Sequence, residues 1–334
     1  MTRFLVAAVS ILLLSVPRTA AAACSMFGGR ATVVQANALG VVPLVLSDTG
    51  NLDSTGGAKE ASLLNASAPG LATVEVLHAT TVGQDNSSRS EASVANVNLT
   101  MLGNNIRSDF LMARANANCG TGGATVGGSS EIAGLVVNGQ SVVVTGSPNQ
   151  TISLPGGVMI ILNEQVSSVQ GGNGSISVNA LHVTAPGVAD ALVSTALAVI
   201  GPLLVVGGGG GGGNCEDFVT GGGWITKDGA KGNFGVAGGR RKGELWGHLE
   251  YIDHGTGMKV KGTGVTAYAA TGPTSRHIEG NADIDGESGS YMVDVSDNGE
   301  PGRNDVFMIS LSNGYMAGGT LDGGNIQLHK ACPF

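Results

Sequence analysis

The 334-residue chain holds 56 Gly, 42% hydrophobic, 13% charged and 4% aromatic residues, with a formal net charge of -8. Average chains carry roughly 25% charged residues and about 7% Gly, so this composition disfavours a helix-dominated enzyme. Normal apolar content with little net charge excludes disorder, and Gly without a three-residue period excludes collagen. What remains is an all-β chain, by length two antiparallel β-domains of sandwich or barrel type.

At the start, Arg3 precedes an apolar run from Phe4 to Leu14, followed by Pro17 and the small residues Ala20 to Ala23. This pattern predicts a signal peptide over residues 1–23. Its apolar core of about a dozen residues is shorter than the roughly 20 that a spanning helix needs. The later stretch Ala191 to Val206 is broken by Ser194, Thr195, Gly201 and Pro202, which points to core strands and no transmembrane helix in the mature chain. The expected location is secreted or at the cell surface, an oxidising setting in which cysteines pair. Cys24, Cys119, Cys215 and Cys332 then predict two disulfide bonds, and four cysteines allow three connectivities. Spacing favours Cys24 with Cys119 and Cys215 with Cys332. Cys24 directly follows Ala23, which leaves lipidation open, although Ala21 stands where a lipoprotein signal normally has Leu. No Cys-x2-Cys pair begins a zinc site.

Residues 24–206 read as the first β-domain. Ser93, Ala95, Val97, Leu99 and Met101 recur with a period of two, and after Gly103-Asn104-Asn105 the small, apolar face of Leu111, Ala113, Ala115, Ala117 and Cys119 alternates with Phe110, Met112, Arg114, Asn116 and Asn118. Period-two patterns joined by turn residues predict a hairpin. Leu135 to Val144 carries the strongest local signal, because Asn138-Gly139 suits a type I′ turn. Further strands are expected over Ile152–Leu154, Val158–Leu162, Ile176–Val183 and Val188–Val199, with Pro186-Gly187 at the corner between the last two. Residues 207–213 are seven glycines, predicted to be a flexible linker. Their trivial Gly-x-Gly-x-x-Gly matches lack the strand-turn-helix setting of dinucleotide binding.

Residues 214–334 read as the second β-domain, with nine short strands from Trp224-Ile225-Thr226 to Asn325–Leu328 that must close or stack to hide their edges. Both sides of the glycine run carry more Asp and Glu than Lys and Arg. The basic face that nucleic acid requires is therefore missing. Arg240-Arg241-Lys242 reads as a solvated turn.

Chemistry-bearing patterns are few. There is no Gly-x-Ser-x-Gly elbow and no His-Glu-x-x-His helix, and Ser129-Ser130 reads as a pair of turn serines. No catalytic residue is assigned. The acidic runs Asp283, Asp285, Glu287 and Asp294, Asp297, Glu300, Asp305 offer oxygen ligands of the kind calcium takes in loops, yet Asp and Gly in these runs equally form β-turns. Calcium is thus the one cofactor candidate. The histidines His78, His182, His248, His254, His277 and His329 share no tight ligand spacing and read as half-buried or surface groups. Trp224 and Trp246 are the candidate ligand-binding aromatics, able to face sugar rings, with core packing as the alternative.

The run Ile132-Ala133-Gly134-Leu135-Val136-Val137-Asn138-Gly139-Gln140, with Pro148-Asn149-Gln150-Thr151-Ile152, Ile161-Leu162-Asn163-Glu164-Gln165 and Val178-Asn179-Ala180-Leu181-His182-Val183, resembles the choice-of-anchor P family of exported bacterial proteins. After the glycines, Thr220-Gly221-Gly222-Gly223-Trp224-Ile225, Asn233-Phe234-Gly235, Leu249-Glu250-Tyr251-Ile252-Asp253, Gly299-Glu300-Pro301-Gly302-Arg303-Asn304-Asp305 and Gly323-Gly324-Asn325-Ile326-Gln327-Leu328-His329 resemble the post-COAP-1 domain. The resemblance implies export but no activity and no site residues. It also implies a surface anchor, whereas this chain shows no sorting motif before Pro333-Phe334. The glycines in Gly221-Gly222-Gly223 and Gly323-Gly324 are expected at bulges or positive-φ turns.

The expected function is that of a noncatalytic cell-envelope or extracellular interaction protein, with a polysaccharide or protein as partner. The alternatives are a glycan hydrolase using carboxylates of the second domain, which needs two of them across a cleft, and a self-associating structural surface protein.

Overall fold

Short, β-branched and small polar segments separated by Gly- and Asn-containing turns favour ladders over helices, and ladders dominate this chain. The computed structural model describes residues 24–38, 43–68, 70–170, 172–202 and 216–330. The leader 1–23 and the glycine run 207–213 lie outside them.

The first strands are β1 (Cys24–Ala38) and β2 (Leu44–Asp48). Seven follow: β3 (Gly57–Ala68), β4 (Ala72–Gln84), β5 (Ser87–Met101), β6 (Asn104–Gly120), β7 (Gly123–Ala133), β8 (Val136–Val137) and β9 (Gln140–Ser141). Then come β10 (Gln150–Ser153), β11 (Met159–Gln170), β12 (Asn173–Ala185) and β13 (Ala189–Pro202). The last nine are β14 (Phe218–Lys227), β15 (Ala230–Arg241), β16 (Glu244–Asp253), β17 (Met258–Ala270), β18 (Ser275–Ile284), β19 (Glu287–Ser296), β20 (Val306–Leu311), β21 (Met316–Thr320) and β22 (Gly323–His329).

They form three antiparallel sheets: six strands in the order β10-β11-β12-β13-β1-β2, seven built on β3-β4-β5-β6-β8-β9 with β7 also on β6, and nine in the order β21-β20-β19-β18-β17-β16-β15-β14-β22. The six- and seven-stranded sheets stack around one apolar core that includes Val33, Leu77, Val94, Leu111, Ile160, Leu181 and Ile200. The nine-stranded sheet curls on itself. Phe234 of β15 stacks on Phe307 of β20 at 3.9 Å, and the hydroxyls of Tyr251 and Tyr315 meet at 2.7 Å across its interior. The nine strands expected in the second half are all present.

Local expectations were met unevenly. Asn138 and Gly139 do occupy a positive-φ turn (50° and 79°), but the strands they join are two residues each. Ser129 and Ser130 lie in β7 rather than in a turn. Gly221-Gly222-Gly223 form the middle of β14, with no positive φ among them. No disulfide joins two of the described side chains, yet Cys119 is disulfide-bonded, so of the two expected bridges only this one end lies among the described residues. Cys119, at the end of β6, packs against the sandwich core, while the Cys24 side chain, Cys215 and Cys332 lie outside the described residues. Ladders fasten the ends of each half as well, because β1 pairs β13 along its length and β14 pairs β22 from Phe218↔His329 to Trp224↔Gly323.

Candidate functional site: the seam between the sheets

The seven-stranded sheet is covered on both faces. One face meets the six-stranded sheet, and the other meets β14, β15 and β16, so residues of both parities are buried along β6. Leu111, Ala113 and Ala115 enter the sandwich core, while Phe110 and Met112 pack on Trp224. Two further apolar clusters line this seam: Ala58, Val82 and Phe218 with Trp246, and Val76, Ala95 and Ile252 with Leu64. Glycines set the approach distance. A Cβ on Gly222 would lie 2.3 Å from Ser93 Oγ, and one on Gly235 would lie 2.8 Å from His78 Cβ.

Bulges decide which residues reach the seam. Val76 and Asn96 have φ of 45°, and the β4–β5 register shifts around Glu75. An extra residue reverses the facing of everything beyond it. Thus Val97, Leu99 and Met101 line the sandwich core, whereas Ala95 lines the seam and Ser93 lies against Gly222. The single alternating face expected over Ser93–Met101 is therefore split in two.

The seam also buries titratable groups. At one end, Ser62 Oγ donates to Glu60 Oε1 at 2.5 Å and lies 2.8 Å from His78 Nδ1. A hydroxyl has one hydrogen to give, so His78 Nδ1 donates to Ser62 and its Nε2 is a buried, unpartnered lone pair. Burial, assisted by the neighbouring His248, pushes His78 down to about 3. In a nucleophilic triad the carboxylate holds the imidazole N–H, whereas here Glu60 holds the serine. Beside this trio, His248 Nε2 meets the fully buried Glu250 at 2.7 Å. Burial favours neutral His248, but the hydrogen bond and charge of Glu250 outweigh it and raise its pKa.

At the other end Glu91 is 6% exposed, with Oε1 unpartnered and Oε2 accepting from Asn325 Nδ2 at 3.3 Å. Burial pushes Glu91 up to about 7, against the pull of Arg114 and Arg89 and with the repulsion of Glu300. Glu131 Oε2 accepts from the Gly324 N–H at 3.1 Å across the seam. At the rim Lys231 pairs with Asp109 at 2.7 Å.

A cavity of about 530 Å³ opens at this end. The β4–β5 hairpin contributes Val82, Gln84, Asp85, Ser87 and Arg89, and β22 with its exit contributes Gln327, Leu328, His329 and Lys330. His329 stacks on Phe218 at 4.5 Å, contacts Thr220 Oγ1 at 3.1 Å, and is pushed down to about 3 by burial.

The acidic candidates divide into separate places. Asp283 accepts from the Gly286 N–H, Asp285 accepts from the Lys259 N–H, and Glu287 opens β19 at the surface. Asp294 lies 2.7 Å from His277 Nδ1 on the outer face. Asp297 accepts from the Leu328 N–H, Asp305 accepts from the N–H groups of Asn298 and Ile326, and Glu300 approaches Asn325 and Arg89. Among the described residues no group of three or more His, Cys, Asp or Glu is placed to hold a metal ion. Neither tryptophan lines the cavity: Trp224 is 7% exposed and 4.8 Å from the Phe110 ring, and Trp246 packs edge-on against Phe218 beneath Arg241. The buried roles of Glu91, His78 and Glu250 escaped sequence reading. The available signal was Glu91 directly opposite Arg114 across the β5–β6 hairpin.

No family model matches the chain, and no curated protein matches it. Among solved structures, a Nitrosomonas europaea protein assigned as AttH is similar at 8% identity over 92% of this chain and 93% of its own, with a TM-score of 0.22. So distant a likeness transfers neither fold nor activity. Among the described residues, no helix is long and apolar enough to cross a membrane.

Proposed function

We propose that this chain is an exported, noncatalytic binding protein of the bacterial cell envelope or exterior, made of a choice-of-anchor P-like domain and a post-COAP-1-like domain joined through the glycine run. Its ligand is a polysaccharide bearing acidic groups, taken at the seam cavity. The cavity carries the reading. Its volume falls within the range typical of small-ligand sites, and Arg89 and Lys330 set two cations against Asp85, with the polar side chains of Gln84, Ser87 and Gln327 beside them. The leader-like residues 1–23 support export, and the wiring of Glu60, Ser62 and His78 supports a structural use of that trio. Calorimetric titration with uronic-acid oligosaccharides tests the proposal. Saturable binding that falls at least tenfold in both Arg89→Ala and Lys330→Ala is expected, whereas binding indifferent to both, or turnover of the oligosaccharide, contradicts it.

A further inference from the structure

The outward face of β19–β21 is unlike the rest of the surface. Inward positions on these strands are ordinary core residues: Val293, Val295, Phe307, Ile309 and Leu311 are all buried. Outward positions on a half-solvated antiparallel sheet are normally polar, yet here they hold Met292, Met308 and Met316, which are 48%, 47% and 64% exposed. The chain has nine methionines. Among the described residues, every exposed one lies in this patch, while Met101, Met112 and Met258 are buried and Met26 and Met159 are half-buried.

The ladder brings the three together. Ser310 of β20 stands between Met316 and Met292 in one cross-strand row, and the next row runs Gly318, Met308, Asp294, His277. Met308 is thus the diagonal neighbour of both other methionines, about 7–8 Å away and within reach of long side chains. Ser310 is small, and Gly318 has no side chain. A Cβ on Gly318 would lie 2.7 Å from Met308 Cγ, so Met308 lies over the space that Gly318 leaves. Two carboxylates, Asp294 and Glu279, border the patch and share the His277 ring between them.

We propose that Met292, Met308 and Met316 form a binding site for a soft monovalent metal ion of the cuprous class. Thioether sulfur is a soft, uncharged ligand that selects such ions over zinc, calcium or magnesium, and methionine's flexible stem lets three side chains converge from neighbouring strands. Aspartate and glutamate at the margin attract the ion without ligating it. The site is separate from the seam cavity and does not depend on what that cavity binds.

Silver(I), which shares this ligand preference and stays monovalent in air, is the probe. The full chain, labelled at its methionine methyl groups, is titrated with silver nitrate and followed by NMR. The expected result is that the resonances of Met292, Met308 and Met316 move together and saturate at one ion per chain, while those of Met101, Met112 and Met258 stay fixed. Met308→Leu should weaken binding at least tenfold, and the triple Leu variant should abolish the response with an unchanged Tm, since all three side chains point outward. Silver captured elsewhere with these methyl groups unmoved, independent shifts at the three positions, or a triple variant of undiminished response at its remaining methyl groups overturns the proposal.

Discussion

The seven-stranded sheet has two buried faces, and they are built from different chemistry. Against the six-stranded sheet it presents a continuous packing of Leu77, Ala92, Val94, Leu111 and Ala113. Against the nine-stranded sheet it presents small, separate apolar clusters interrupted by Glu91, His78 and Ser93, which face Asn325, His248 and Gly222. The first face gains chiefly from apolar area, with the hydroxyls of Ser88 and Ser90 donating to the carbonyls of Gly28 and Leu197 on the facing strands. The second gains from area too, but burial there shifts Glu91 and His78 toward their neutral forms. One sheet therefore anchors a pH-indifferent core and a pH-sensitive seam.

The comparison is broken most severely from the apolar side. Leu111→Ala removes a fully buried side chain from the sandwich core and is expected to cost about 3 kcal/mol by urea unfolding, equally at pH 5 and pH 8. A loss that changes strongly with pH contradicts the division of labour between the faces.

On the seam, Gly235→Val drives a branched side chain into His78. The expected cost is about 2 kcal/mol, read as lost hydrogen-exchange protection in β4 and β15 while β12 and β13 keep theirs. Equal loss across all four strands shows that the seam is not a distinct layer.

Glu91 sharpens the contrast. Its folded carboxyl titrates near 7 against an ordinary 4.5, so the fold favours the protonated form. The stability it contributes is complete below pH 4.5 and is lost as pH rises to 7. Asp305, raised to about 6 chiefly by burial, acts in the same direction over a lower window. His78 and His329, lowered to about 3, act oppositely: their contribution is complete above pH 6.5 and is lost as pH falls. Glu91→Gln is expected to flatten the alkaline limb, sparing on the order of 2 kcal/mol at pH 8 relative to pH 5. An alkaline limb unchanged in the variant removes Glu91 from this role.

Much of the fold was legible because alternation and turn residues are local signals. The nine strands after the glycine run, and the pairing of β12 with β13 around Pro186-Gly187, follow from them directly. The seam was not legible, because its key events are non-local. A bulge at Asn96 reverses the facing of β5 without any Gly or Pro to announce it, and Gly222 and Gly235 look like flexibility in the sequence but act as close-approach surfaces. The acidic loops illustrate the opposite case. Asp283, Asp285, Asp297 and Asp305 do hold turns and backbone N–H groups, the alternative that Asp-Gly patterns already offered. For Glu91 and His78, only the covering sheet turns an ordinary polar residue into a buried, neutral one.

The central claim is that the seam joins the sandwich and the nine-stranded sheet into one cooperative unit whose stability depends on pH. Differential scanning calorimetry of the full chain between pH 5 and pH 8 tests it most directly. A single transition at each pH, with a midpoint that changes with pH and that Glu91→Gln raises at pH 8 relative to pH 5 when set against the parent chain, is the expected result. Two transitions at every pH, with midpoints that Glu91→Gln leaves unmoved, would contradict it.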